Sequence, residues 1–294
     1  MLVYPDGYRD FRCRAGACRH SCCIGWEIDI DEHSLARFRA ETGALGDKLR
    51  RCIAVDESGA HFILGEGERC PFLQKDGLCE MILARGENVL CQICADHPRF
   101  RSFYADRTEI GLGLCCEAAA EMLLSRRAPL LLVSEGEPDG EPDPQEETLL
   151  ALRARLMDAA QDRTQPMANR LETLLAMSGL ALPEDLPGVF LSLEQLDPAW
   201  TQVLRQMCGA DIPAAPDSWE IPLEQLLWYF LYRHIPGALE DDDVAGRIAL
   251  CVMSVIMVRD AALAGKLPLA EAARMYSAEI EYSDENISAL LASL

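Results

Sequence analysis

Thirteen cysteines are the residues of this chain whose type and spacing most directly admit chemistry, and eleven of them fall between Cys13 and Cys116. Ten form three groups: Cys13, Cys18, Cys22 and Cys23; then Cys70, Cys79, Cys91 and Cys94; then Cys115 and Cys116. Thiolates are soft ligands that select zinc, copper(I) or iron–sulfur clusters. Four suffice for a tetrahedral zinc or one cubane cluster, so ten would serve two sites, or one with spares. Disulfides are the rival reading, but they persist in oxidising compartments. The opening Met1-Leu2-Val3-Tyr4-Pro5-Asp6 has no basic region followed by an apolar run, which a secretory signal would need. A cytoplasmic metal or iron–sulfur protein is expected.

Spacing does not name the metal. Cys91-x2-Cys94 is a common chelate geometry, yet the second close Cys-x2-Cys pair of a zinc ribbon is missing. Cys18-x3-Cys22 begins the Cys-x3-Cys-x2-Cys pattern of radical enzymes, but Gly25 stands where its third cysteine belongs. No Gly-x-Gly-x-x-Gly follows a clear strand, which argues against a nucleotide-binding fold of Rossmann type. His20 and His97 lie among the thiols and are possible mixed ligands, although enough thiols are present without them. His234 reads as a structural histidine. Cys208 and Cys251, in helical runs, read as buried small hydrophobes.

The elements that must position these thiols are short. Residues 1–116 are loop-rich, with strand-like alternation over 26–31 and 61–64 and a helix over 34–49 weakened by Gly43 and Gly46. A helix is predicted over 115–127. Residues 134–147, with three prolines among acidic side chains, read as a linker. After it helical spacing dominates: Leu149, Leu152 and Leu156, then Leu171, Leu174 and Leu175. Asp197 followed by Pro198 marks a capped helix start, and further helices are predicted over 223–234, 243–264 and 269–280. The expected fold is mainly α: a small irregular cysteine-rich domain with short strands (1–130), an acidic Pro-rich linker (131–147), and an all-helical bundle (148–294).

The segments Phe11-Arg12-Cys13, Cys22-Cys23-Ile24-Gly25-Trp26, Cys70-Pro71-Phe72-Leu73, Asp76-Gly77-Leu78-Cys79, Cys91-x2-Cys94-x3-Pro98-Arg99 and Gly113-Leu114-Cys115-Cys116-Glu117 resemble the flagellin lysine-N-methylases. Tyr229-x2-Tyr232-Arg233-His234 and Glu279-x3-Ser283-x-Glu285-Asn286 extend the likeness toward the C-terminus. Part of the cysteine pattern is shared with small zinc- or iron-chelating proteins. The resemblance implies an enzyme that moves a methyl group from S-adenosylmethionine to lysines of flagellin or a similar bacterial protein, with a 4Fe-4S cluster. Zinc is the alternative metal, and a non-catalytic chelating module the alternative function.

On that reading a lysine must lose its proton before it can attack. Asp29, Asp31, Asp96 and Glu117 are the candidate bases near the cysteines, and Tyr104 is a candidate acceptor for the amine. For each, an ordinary solvated or packed role is the bland alternative. Trp26 is placed to cover the donor's sulfonium and Arg99 to hold its carboxylate, against a core tryptophan and a structural ion pair. An open iron would template the donor or pass an electron.

The chain has 294 residues and a net charge of -21. Residues 121–294 hold 12 Lys+Arg against 29 Asp+Glu. This balance argues against broad nucleic-acid binding, and attraction of lysine-bearing partners competes with simple solubility as its purpose. The longest apolar candidate for a span, 248–258, is far short of the roughly 20 residues a bilayer requires. These features lead us to expect no nucleic acid and no membrane as partner, and the resemblance implies a protein substrate.

Overall fold

The computed structural model describes residues 1–294. In chain order the elements are β1 (Leu2–Pro5), β2 (Asp29–Ile30), α1 (Glu32–Ala40), α2 (Gly43–Cys52), β3 (Ile53–Val55), β4 (Ala60–Phe62), α3 (Glu80–Arg85), α4 (Gln92–Asp96), β5 (Arg99–Phe103), β6 (Thr108–Leu112), α5 (Glu117–Ser125) and β7 (Leu132–Glu135). Helices follow without interruption by strands: α6 (Pro144–Ala160), α7 (Met167–Ser178), α8 (Leu186–Leu191), α9 (Pro198–Met207), α10 (Glu220–His234), α11 (Ala238–Asp241), α12 (Val244–Gly265), α13 (Leu269–Ile280) and α14 (Asp284–Ala292). The protein is mainly α, as its sequence predicts, with few and short strands.

The chain forms two units, Arg12–Phe100 and Met1–Phe11 with Arg101–Leu294. This differs from a division at 130. The reason is β1, which sits inside a four-stranded sheet of order β5-β6-β1-β7. It pairs in parallel with β6 (Leu2 with Thr108) and antiparallel with β7 (Leu2 with Glu135). The N-terminus is thus stitched into the later unit, and the Met1 ammonium meets Asp139 at 2.7 Å. The predicted linker 131–147 is correspondingly shorter. Its first residues are β7, and its end is the start of α6, where the Asp143 side chain accepts from Gln145 and Glu146 N–H ahead of Pro144 at the first turn.

The cysteine-rich unit is built on a sheet of order β2-β4-β3. Its core is Ile28, Ile30, Phe38, Leu45, Leu49, Phe62, Phe72 and Met81, together with Cys70 and Cys91. The single helix predicted over 34–49 is two. α1 stops at Ala40, and Gly43, at φ +71°, starts α2 in a backbone conformation that favours glycine. A second glycine contact fixes a loop on which thiols lie. A side chain on Gly16 would meet the Asp76 carbonyl oxygen at 2.5 Å, so the 15–17 turn packs directly on the 76–78 turn.

In the larger unit α12 runs through the centre, packed against α7, α9, α10 and α13. Leu250, Cys251, Met253, Val255, Met257 and Val258 are all fully buried, each aliphatic side chain stabilising the fold by roughly 1.5–3 kcal/mol. By length and composition α12 would reach across a membrane, but 67% of its most apolar stretch is buried inside the protein. The one hydroxyl in its middle is satisfied, because Ser254 Oγ donates to the Leu250 carbonyl at 2.7 Å and pairs with the Tyr276 hydroxyl at 2.6 Å. The sheet is tied to the bundle by Arg153 of α6, which donates twice to Glu109 of β6, both at 2.7 Å, with both side chains 3% exposed.

Candidate metal centre and a buried polar network

In the cysteine-rich unit, backbone contacts bring thiols from distant segments to one core. The Cys70 N–H donates to the Cys23 carbonyl at 2.9 Å, beside a bridge between Ile24 and Arg69. A bridge between Leu73 and Cys79 folds the next loop back, and the Glu80 N–H donates to the Phe72 carbonyl at 2.8 Å. The Cys91–Cys94 turn is held by Asp31, whose carboxylate accepts from Ser34 N–H and Gln92 N–H, both at 2.9 Å. Arg37 adds a bond to the Leu90 carbonyl at 3.0 Å. Cys70 and Cys91 are consequently core residues, with Cys23, Cys79 and Cys94 packed against the same cluster.

The electrostatics of this group separate its members. A hydrogen bond from Cys22 holds the Cys23 thiol down at about 7 against the opposing effect of burial, with help from Ser21 and Arg69. A hydrogen bond from Cys94 likewise lowers Cys91, while Cys94, keeping the shared proton, is raised. Burial pushes Cys70 up to about 11 and raises Cys79. Cys23 and Cys91, each lowered by a hydrogen-bonded neighbouring thiol, therefore share one partly apolar core, and the thiolate is the form that binds metals. The five sulfurs gathered at this core, Cys23, Cys70, Cys79, Cys91 and Cys94, are soft donors of the type that suits a soft cation or an iron–sulfur cluster. No three potential ligands stand close enough together to hold a metal ion.

The other predicted ligands are spread more widely. Cys13 and Cys22 are exposed and Cys18 is half-buried. Cys115 and Cys116 belong to the larger unit. Cys208 caps the end of α9 and is exposed rather than buried, whereas Cys251 is buried as its helical run predicts.

The predicted polar residues have definite surroundings. Asp31 is the N-cap of α1, and its carboxyl is held at about 2 by the Gln92 and Ser34 N–H groups against burial. Asp29 lies exposed on β2. Asp96 accepts from Gln92 Nε2 at 2.6 Å. Trp26 donates through its indole N–H to the Cys22 carbonyl at 2.7 Å and stacks on His97, centroids 6.1 Å apart. His97 follows the thiols closely in sequence, and burial lowers its imidazole to about 4, so it is neutral at ordinary pH. Arg99 donates to the Ala95 carbonyl at 3.4 Å. In the larger unit Glu117 is buried in the first turn of α5. Tyr104 takes a bond of 3.4 Å from Arg153, which places it beside the Arg153–Glu109 pair.

The larger unit holds a second constellation, which spacing did not reveal. Glu281 has a fully buried carboxylate. It faces Arg233 Nε at 3.1 Å and His234 Nε2 at 2.9 Å, and accepts from the Tyr229 hydroxyl at 2.9 Å. Tyr229 in turn accepts from Leu114 N–H at 3.3 Å and Arg233 Nη1 at 3.2 Å. Arg233 lies 4.7 Å from the centroid of the Tyr282 ring, and Tyr282 hydrogen-bonds Cys115, whose thiol burial raises to about 11. The structural role expected for His234 is thus explicit. Glu281 and Tyr282 follow α13 in a segment with no periodic or metal-like signal. The Tyr232-Arg233-His234 run was the available clue, because an arginine on an apolar helix needs a buried partner.

No family model and no solved structure matches the chain. Among curated proteins it is similar to "Lysine-N-methylase" of Salmonella choleraesuis (strain SC-B67), 28% identical over 136 residues, covering 42% of this chain and 32% of that protein. The protein of the same name from Salmonella typhimurium (strain LT2) matches with the same identity and coverage. "Flagellar biosynthetic protein FliU" of Salmonella muenchen is 26% identical over 132 residues, covering 42% of this chain and 77% of FliU. The chain spans about a third of the length of the two lysine-N-methylases. Over that shared stretch, and in keeping with the cysteine motifs, the chain is similar to proteins named for lysine N-methylation and flagellar biosynthesis.

Proposed function

We propose that this protein is a lysine N-methyltransferase that acts on flagellin or a similar lysine-bearing bacterial protein in the cytoplasm, with S-adenosylmethionine as methyl donor. The observation that carries the reading is the gathering of Cys23, Cys70, Cys79, Cys91 and Cys94 into one core, in a chain similar to proteins named for lysine methylation. Four of these thiols would hold an iron–sulfur cluster, or zinc in its place. When bound, such a centre supplies a Lewis-acidic anchor for the donor or an electron.

In polar methyl transfer the neutral lysine Nζ attacks the methyl carbon. A C–N bond forms, the C–S bond breaks, its electron pair stays on sulfur, and the ammonium proton passes to a base. Of the predicted carboxylates, Glu117 is the most buried. The acidic surface of the larger unit would favour a lysine-rich partner, with steering that weakens in salt.

The test is metal and acid-labile sulfide content on anaerobically purified protein, followed by incubation with methyl-labelled donor and flagellin. Label on flagellin lysines supports the reading. Metal-loaded protein that neither binds S-adenosylmethionine nor labels flagellin would overturn it in favour of a chelating module.

A further inference from the structure

β7 closes one side of the four-stranded sheet, and no strand covers its outer edge. Leu131, Leu132 and Val133 are 63%, 40% and 36% exposed there. An open apolar edge is a template for another strand, and proteins ordinarily blunt it with lysine, proline or a covering segment. β7, Leu132-Val133-Ser134-Glu135, contains neither lysine nor proline, and residues 131–140 are all exposed.

Pairing with β1 fixes which backbone groups face outward. Val133 stands opposite Tyr4, and Leu132 opposite Pro5. The Asp6 N–H donates to the Leu131 carbonyl at 2.8 Å. Bonded and non-bonded pairs alternate along an antiparallel ladder, so Val133 also bonds to β1, while Leu132 and Ser134 turn their N–H and C=O groups away from it. Pro5, which has no N–H, sits at a non-bonded position, as this alternation requires. The outward groups of Leu132 and Ser134 have no partner in the chain.

The flanks of the strand carry opposite charge. Arg126 and Arg127 precede it, and Glu135 and Glu137 lie at its other end. Arg126 is paired with Asp6 and Glu135 with Arg9, whereas Arg127 and Glu137 are exposed and make no ion pair. A uniformly basic or uniformly acidic peptide would match one flank and be repelled by the other. A strand with an acidic end for Arg127 and a basic end for Glu137 is this same segment run antiparallel. We propose that β7 docks β7 of a second copy of this chain, joining the two sheets across a twofold axis at Val133.

Only this register uses every outward group. Leu132 then exchanges two hydrogen bonds with Ser134 of the second copy, Ser134 does the same with Leu132, and the two Val133 side chains meet. Centring on Leu132 would call on Leu130, which is buried and whose carbonyl already accepts from Gln161 Nε2 at 3.2 Å. Centring on Ser134 would call on Gly136, whose φ of +81° departs from strand geometry. The net charge of -21 opposes association at long range, but about 0.15 M salt confines that repulsion to about 8 Å. A strand-to-strand seam is small beside the roughly 1,200–2,000 Å² of stable complexes, so dissociation on the order of 10 µM is expected.

The test is sedimentation equilibrium of the full chain from about 1 to about 200 µM in about 0.15 M salt. The expected mass rises from that of a monomer toward twice that. Ser134→Pro deletes an outward N–H without removing a bond to β1, and Val133→Lys sets two ammonium groups together at the axis. Each should weaken the dimer by at least about tenfold, with far-UV circular dichroism and melting temperature confirming that the variant folds. Arg127→Glu should weaken it about threefold or more, and adding Glu137→Arg should restore it, because the exchanged charges again face each other. A protein that stays monomeric at the highest concentration overturns the inference. So does a dimer indifferent to Ser134→Pro and Val133→Lys, whose interface must lie elsewhere. A dimer that the double charge exchange fails to restore overturns the antiparallel self-pairing.

Discussion

Replacing Glu281 by Gln removes one charge from a group buried with Arg233 and His234 and changes almost nothing in shape. Burial alone would push this carboxyl up, but Arg233 and the hydrogen bond from His234 overcome it and hold it at about 2 against 4.5 for an ordinary Glu. That difference corresponds to about 3 kcal/mol of stability. Because the folded value is the lower one, this contribution is present above pH about 4.5 and is lost as pH falls toward 2. The Glu281→Gln substitution would also leave the Arg233 guanidinium buried without its anion, a change that costs about 3–5 kcal/mol. For a unit of about 200 residues this lowers the melting temperature by roughly 6–20 °C. Tryptophan emission reports on it, since Trp200, Trp219 and Trp228 lie in this unit and only Trp26 in the other. Urea titrations should show the loss at pH 7 and a flatter acid limb in the variant. Adding Arg233→Met to Glu281→Gln should recover part of the loss, because the orphaned cation is then gone. A loss under about 1 kcal/mol, or no recovery in the double variant, would refute the assignment of Glu281 as the anion that neutralises Arg233.

Three further outcomes follow from the same geometry. Asp31→Ala should cost about 1–2 kcal/mol in urea denaturation through loss of the α1 cap, with Asp31→Asn milder; equal damage from both would show that the cap is not its role. Arg153→Met should destabilise by about 3–5 kcal/mol by stranding Glu109, and Arg153→Met with Glu109→Leu should recover most of it; a double variant no better than the single one refutes the pairing. Substituting Cys70, Cys79, Cys91 or Cys94 by Ala should each lower bound metal affinity by about tenfold or more, measured by elemental analysis after dialysis, while Cys208→Ala, at an exposed helix end, should not; unchanged binding in all four refutes the thiol centre.

Helices with strong local signals were legible in the sequence. Asp197 caps α9 with Pro198 in its first turn, and α13 spans 269–280 as its spacing predicts. There the caps and apolar positions lie within a few residues of one another, so local chemistry suffices. Alternation over 26–31 and 61–64 likewise marked β2 and β4, whereas the break at 41–42 was harder to read. That the first of these strands narrows to Asp29 and Ile30 is set by their pairing with His61 and Ala60 across the sheet, and the extent of such pairing is not a local property. The linker expectation missed β7 for the same reason, because those residues are strand only through β1.

The candidate site divides along the same line. The sequence by itself determined that the chain is mainly helical, that its thiols are concentrated before residue 117, and that their types suit a soft metal, because composition and spacing carry that information directly. Tertiary structure decided which five thiols share a core and which stay exposed. It decided that Asp31 is a cap, and that β1 joins the later unit. It also decided that Glu281, Arg233, His234 and Tyr229 meet in one buried network. Each of these depends on contacts between residues tens to hundreds of positions apart, whose burial and charge are properties of the folded chain and of no local segment.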